Sequence, residues 1–150
     1  MELDITLRPA SAMDECFLLE LRRLTMTAYL RESGVPLDDV THLERIRSNF
    51  ESAMVVRAGG DDVGLLKLSR ADDEWHLHQL QIIPDYQRRG IASAVLRQVL
   101  AEAEHAQVAV SLSVMHHNPA RRLYDRLGFQ CVSETQKDLK MLWRPPIFGC

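Results

Sequence analysis

The spacing of apolar positions changes along the chain, and each change marks an element. Ile5-Thr6-Leu7-Arg8 alternates and stops at Pro9, which predicts a short strand. After Ser11 the spacing turns helical. Phe17, Leu18, Leu21, Leu24 and Ala28 predict one apolar helix face, which Gly34-Val35-Pro36 ends. Val40, Leu43, Ile46 and Phe50 predict a second helix over 39–50. The period then falls to two. Strands are predicted over 53–57, 63–69 and 75–83, separated by Ala58-Gly59-Gly60-Asp61-Asp62 and Ala71-Asp72-Asp73, the last of them closed by Pro84. A long helix over 88–105 and a β-branched strand over 108–114 follow, then a helix over 118–127 ended by Gly128. Segments 129–134 and 139–143 predict a final antiparallel pair, and Pro145-Pro146 ends regular structure. The order β-α-α-β-β-β-α-β-α-β-β contains one βαβ unit. The strands at 75–83 and 108–114 are therefore expected to run parallel in a mixed sheet.

Composition adds bounds. The chain has 150 residues, 46% hydrophobic and 26% charged, which suits one globular domain over 1–150 and excludes disorder as the main state. Repeats, linkers and low-complexity tracts are not evident, and the longest uncharged apolar runs, such as Met54-Val55-Val56, are too short for a membrane span. Met1-Glu2-Leu3-Asp4 lacks the basic start of a secretory leader, and Cys16, Cys131 and Cys150 are scattered and odd in number. A cytoplasmic protein with free thiols is expected.

Charge is uneven. Residues 1–85 carry 9 basic and 16 acidic side chains, a net of −7, whereas residues 86–150 carry 9 and 5, a net of +4. From Tyr86 to Ala101 there are three arginines and no acid. A mildly acidic chain is a poor nucleic-acid binder, but a local basic segment suits an anionic ligand.

The sharpest chemistry sits in that segment. Gln87-Arg88-Arg89-Gly90-Ile91-Ala92 lies between a strand and an apolar helix. Peptide N–H groups at a helix start have no intrahelical acceptor and carry partial positive charge, so they bind phosphate. Gly90 and Ala92 leave the backbone approachable, and Arg88 and Arg89 add full charges. Neither G-x-x-x-x-G-K-[ST] nor G-x-G-x-x-G occurs, which excludes the P-loop and the dinucleotide fingerprint.

The segment Leu80-Gln81-Ile82-Ile83-Pro84-Asp85-Tyr86-Gln87-Arg88-Arg89-Gly90-Ile91-Ala92 resembles motif A of the GNAT superfamily of acetyl-CoA-dependent N-acetyltransferases. Asn118-Pro119-Ala120-Arg121-Arg122-Leu123-Tyr124-Asp125-Arg126-Leu127-Gly128-Phe129 resembles its motif B. The two stand in the family's order, and the resemblance spans nearly the whole chain. One departure is Ala92, where glycine is usual.

The resemblance implies a mixed α/β GNAT fold. Its central sheet is mostly antiparallel, with a β-α-β cofactor-binding core and helices on both faces. It implies acetyl-CoA as cosubstrate and transfer of the acetyl group to a primary amine by direct attack in a ternary complex. Pantetheine would pair with the backbone of Leu80, Gln81 and Ile82. The pyrophosphate would lie on the amides of Arg88, Arg89, Gly90, Ile91, Ala92 and Ser93. Asn118 would bond the pantetheine arm, although Asn-Pro is also a helix cap. Tyr124 would protonate the departing thiolate, although Ala120, Leu123, Tyr124 and Leu127 also form a plain helical stripe.

The general base stays open. His76 and His78 share a strand face, and His76 falls where some relatives carry a glutamate. Glu74, water, or no role beyond two sheet histidines are the alternatives. His76-x-His78 and His116-His117 have no carboxylate or cysteine to complete a signature, so no metal is expected. The predicted helices up to residue 50 would build the acceptor pocket. Their acidic balance hints at a cationic amine, whether small molecule or peptide. A non-catalytic acyl-CoA-binding regulatory module is the alternative function, and the apolar segment 143–148 points toward a homodimer. Neither nucleic acid nor membrane is expected as a partner.

Overall fold

The computed structural model describes residues 4–33 and 39–146, with side chains described for 4–25 and 39–146. The seven strands are β1 (Ile5–Pro9), β2 (Ala53–Ala58), β3 (Asp61–Arg70), β4 (Glu74–Ile82), β5 (Ala109–Met115), β6 (Gln130–Glu134) and β7 (Asp138–Trp143). The four helices are α1 (Glu15–Ser33), α2 (Asp39–Arg47), α3 (Ile91–Ala106) and α4 (Ala120–Arg126). The strands form one mixed sheet in the order β1-β2-β3-β4-β5-β7-β6. β4 and β5 are parallel, as expected for the βαβ unit, with register from Glu74↔Ala109 to Leu77↔Leu112. The pairs β1–β2, β2–β3, β5–β7 and β6–β7 are antiparallel. Among the described residues no helix is long and apolar enough to cross a membrane.

The chain gathers into two compact units. One holds the described residues up to Lys67 with Gln79–Ala92; the other holds Leu68–His78 with those from Ser93 onward.

In the first unit, Leu18, Leu21, Ile46, Ala53 and Leu65 form a buried cluster, with Phe17, Leu43, Phe50 and Ile83 packed against it. The helical stripe is rotated from the expected one. Leu24 is 53% exposed and Val40 64% exposed, while Arg22 and His42 are buried. Arg22 lies four residues after Leu18, so it occupies the core-facing position to which Leu24 is only peripheral. α2 also ends earlier than the periodicity implies, because Asn49 turns left-handed at φ 54° and Phe50–Ser52 forms a separate 3-10 turn. The Lys67 ammonium takes up the free end of α2. It donates to the carbonyls of Arg45, Ile46 and Ser48 at 2.8, 2.8 and 2.7 Å, which satisfies its three donors and opposes the helix dipole. Burial, then the nearby Arg22 charge, lowers its pKa to about 8.

The entry to α1 is pinned as well. Asp14 accepts the Ser11 backbone N–H at 2.8 Å and a two-pronged bond from Arg8 at 3.0 and 2.7 Å. The Arg8 guanidinium holds the Asp14 carboxyl at about 2. Arg8 also reaches Asp62 on β3 at 3.0 Å, tying β1 to β3 through side chains.

In the second unit, Val95, Leu96, Val99, Leu100 and Ala103 form the buried face of α3, and β5 is buried at Val110, Ser111, Leu112 and Val114. β6 is exposed along its length and carries a register shift between Cys131 and Ser133, features that blunt an edge strand against pairing. Cys16 and Cys131 are free and exposed, and Cys150 lies outside the described residues. The end of the 143–148 segment is also outside them.

Gly64 lies close against Gln81 and Ile82. A Cβ there would stand 2.3 Å from the Gln81 carbonyl oxygen and 2.8 Å from Ile82 Cδ1. Gly64→Ala should therefore destabilise the protein by about 2–3 kcal/mol, because the obstacle is backbone that cannot rotate away. Lys67→Met should cost about 3 kcal/mol by stranding three carbonyls at the end of α2. Urea denaturation of each variant against the parent checks both; a change under about 0.5 kcal/mol would contradict the packing described.

Candidate functional site

The loop between β4 and α3 is built from the first unit. After Ile82, Pro84–Tyr86 forms one 3-10 turn, closed by the amides of Tyr86 and Gln87 on the carbonyls of Ile83 and Pro84 at 3.0 and 3.1 Å. The Gln87 side-chain amide donates back to the Ile82 carbonyl at 2.9 Å and ties the loop to its strand. Tyr86 donates to Asp61 at 3.0 Å, and the Arg89 guanidinium stacks 4.9 Å above the Tyr86 ring. Among the described residues Arg89 is thereby held by an aromatic face and not by a carboxylate.

The helix begins later than the periodicity predicts. Arg88 and Gly90 are both left-handed, at φ 64° and 78°, so α3 starts at Ile91. Two left-handed residues within three positions make a tight turn of the kind in which successive backbone amides can form an anion-binding concavity. Ile91 is buried and anchors the start, while residues 87–90 are exposed. A Cβ built at Gly90 meets nothing within 4 Å, so the peptide there is open to an approaching group. The first turn of α3 holds no acid.

The strand before this loop has its own signal. Gln81 carries a buried Oε1 with no hydrogen-bond partner among the described residues. Such an acceptor is costly unless something else supplies a donor. Glutamine at this position gave no warning in the sequence, because burial of one amide oxygen depends on packing.

The second unit holds the candidate acid and base. His76 and His78 lie on one face as the alternation requires, their rings in edge contact at 4.7 Å. His76 Nδ1 pairs with Ser111 Oγ at 2.8 Å, directly across the parallel register, and Ser111 is buried. His78 Nε2 pairs with Ser69 Oγ at 2.5 Å. Burial, then the neighbouring His78, lowers the His76 pKa, so its imidazole is neutral at pH 7. Glu74 stands at the first position of β4. His116 is bonded instead to the Thr135 carbonyl, at 2.8 Å.

Asn118 caps α4: its Oδ1 accepts the Ala120 amide at 2.9 Å. Tyr124 is buried against Phe129, ring centroids 5.7 Å apart. Its hydroxyl has no hydrogen-bond partner among the described residues, and burial raises its pKa, so the phenol stays protonated. Gly128, at φ 99°, ends the helix as predicted.

The family model described as "Acetyltransferase (GNAT) domain" matches residues 37–145. A protein of Escherichia coli strain K12 named Uncharacterized N-acetyltransferase YafP is 29% identical over 70 residues, a match covering 47% of this chain and 43% of that protein's length. Among solved structures, an acetyltransferase from Thermus thermophilus superposes with a TM-score of 0.76 at 25% identity, covering 96% of this chain and 99% of its own. The PaiA N-acetyltransferase of Thermoplasma acidophilum, solved in complex with coenzyme A, gives 0.74 at 17% identity and covers 94% and 99%. With the sheet order, the βαβ unit and the loop at the start of α3, these matches establish that the chain belongs to the GNAT acetyltransferase family and carries its acyltransferase domain.

Proposed function

We propose that this protein transfers the acetyl group of acetyl-CoA to a primary amine by direct attack. The observation that carries the reading is the start of α3, where left-handed Arg88 and Gly90 lead in a tight turn to an acid-free helix end beside two arginines. The chemistry of these residues fits the group. The amides of residues 88–93, with Arg88 and Arg89 beside them, would hold the pyrophosphate. The backbone of Leu80, Gln81 and Ile82 would pair with pantetheine as an added strand, and Gln81 Oε1 would accept one of its amide protons. Asn118, whose Oδ1 caps α4, would also bond the same arm.

Acetyl-CoA supplies an activated thioester. The chain's residues then move protons and orient the partners. In the tautomer whose Nδ1–H donates to Ser111 Oγ, His76 would offer the lone pair of Nε2 to the proton that the attacking amine loses. A β4 amide among Leu80–Ile82 donates to the oxygen on which charge develops. Tyr124, kept protonated by its surroundings, returns a proton to the leaving sulfur. Holding amine and thioester side by side provides a further part of the acceleration.

Calorimetric titration with acetyl-CoA, followed by coenzyme A release with a panel of amines, tests the reading; failure to bind acetyl-CoA ends it. Tyr124→Phe should lower kcat about a hundredfold with acetyl-CoA affinity within about twofold of the parent, and unchanged kcat removes Tyr124 from the chemistry. Because a protonated His76 cannot accept a proton, kcat should rise with pH along a limb centred below the ordinary histidine value. His76→Gln should abolish that limb; a limb that persists assigns it to another group.

A further inference from the structure

Two serines and two histidines form a row across the sheet, all four within the second unit. Ser111 of β5 is bonded to Nδ1 of His76 at 2.8 Å, and Ser69 of β3 to Nε2 of His78 at 2.5 Å. Between the serines the two rings meet edge-on, with centroids 4.7 Å apart and planes at 76°. His76 and His78 are alternate residues of β4, so both point to one side of the sheet. Each is fastened by the strand on a different side of β4.

The two rings differ in their surroundings. His76 is half-buried, whereas His78 is exposed. Burial acts first on the His76 charge; His78 and Lys140 of β7 also disfavour it, and Glu74 of β4 favours it. Of these charged groups, His78 is the one in ring contact with His76. Two imidazoles held this close titrate as a pair, so the proton state of one enters that of the other. The contact also has a steric consequence. A ring bonded at one nitrogen can still pivot about that bond, and a second ring against it removes the freedom. A base has to be held to within about half an ångström of its working place, which a single hydrogen bond does not ensure.

We infer that His78, fastened by Ser69, is a positioning residue that holds the His76 ring in its working orientation and sets a second titrating group against it. In this role His78 acts through His76 and forms no bond with the amine. A base that has taken the amine's proton must lose it before the next turnover, and a neighbour of like charge favours that loss. The inference rests on the acetyl-transfer reading, within which His76 is the base, and adds the residue that sets the pH range of that base.

The test is an NMR titration of the His76 imidazole, read alongside the pH dependence of kcat. In His78→Gln the His76 midpoint should rise by about half a pH unit, the effect of removing one like charge about 5 Å away in a watery surrounding. His78→Arg keeps a positive charge there and should leave the midpoint at or below that of the parent. In His78→Gln the acid limb of kcat should move upward with the midpoint, and kcat above the limb should fall about tenfold as the ring loses its second contact. A purely structural role would lower kcat at every pH with the limb unmoved. That result, or a His76 midpoint within about 0.1 pH unit of the parent's in His78→Gln, overturns the inference. If the limb persists in His76→Gln, the assignment of His76 as base fails, and the NMR midpoints still decide whether the two rings act as a pair. A protein that binds no acetyl-CoA by calorimetry fails the acetyl-transfer reading instead, so the failures are distinct.

Discussion

A helix can grip a phosphate only if its first amides remain free of the chain's own carbonyls and yet do not move. The loop before α3 meets both demands with backbone conformation. Left-handed Arg88 and Gly90 delay the helix to Ile91, and the delay keeps residues 88–90 between strand and helix. Gln87 fastens one side of the turn to Ile82, Tyr86 fastens another to Asp61, and buried Ile91 fixes the helix end. Glycine is needed at one of the two left-handed positions at least, since L side chains adopt that region at a cost. Arg88 accepts that cost at an exposed position.

Buried polar groups divide into those that the chain itself satisfies and those that it leaves without a partner. Lys67, Asp14 and Ser111 are each provided with partners by the chain: three carbonyls, an arginine with a backbone amide, and a histidine ring. Among the described residues, Gln81 Oε1 is not. In an interior where satisfied polar atoms are the rule, the buried Gln81 oxygen is the exception. The same contrast divides the histidines. His42 and His76 each hold another side chain in a set direction, while His116 closes a turn.

Much is legible along the chain because it depends on neighbours in sequence. The alternation around Trp75 and Leu77, the turn signals at Gly59-Gly60 and the run from Pro84 to Gly90 each report a local preference. So does Asn118, whose capping bond spans two residues. The departures share a cause as well. Apolar spacing places Leu24 and Val40 inside, yet α1 and α2 turn Arg22 and His42 inward, because a hydrogen-bonded pair from two helices can replace apolar filling. Periodicity starts α3 at 88, three residues early, because it does not register φ.

The sequence by itself determined the order of elements, the parallel βαβ unit, the family and the placement of a basic, glycine-bearing turn at a helix start. Tertiary structure alone decided which polar atoms are left without partners, which serine orients His76, and which arginine is buried against a histidine. The reason is physical. Secondary structure answers to contacts a few residues apart, whereas desolvation and hydrogen-bond satisfaction answer to whatever distant segment the fold brings alongside, as β5 brings Ser111 to His76 and α2 brings His42 to Arg22.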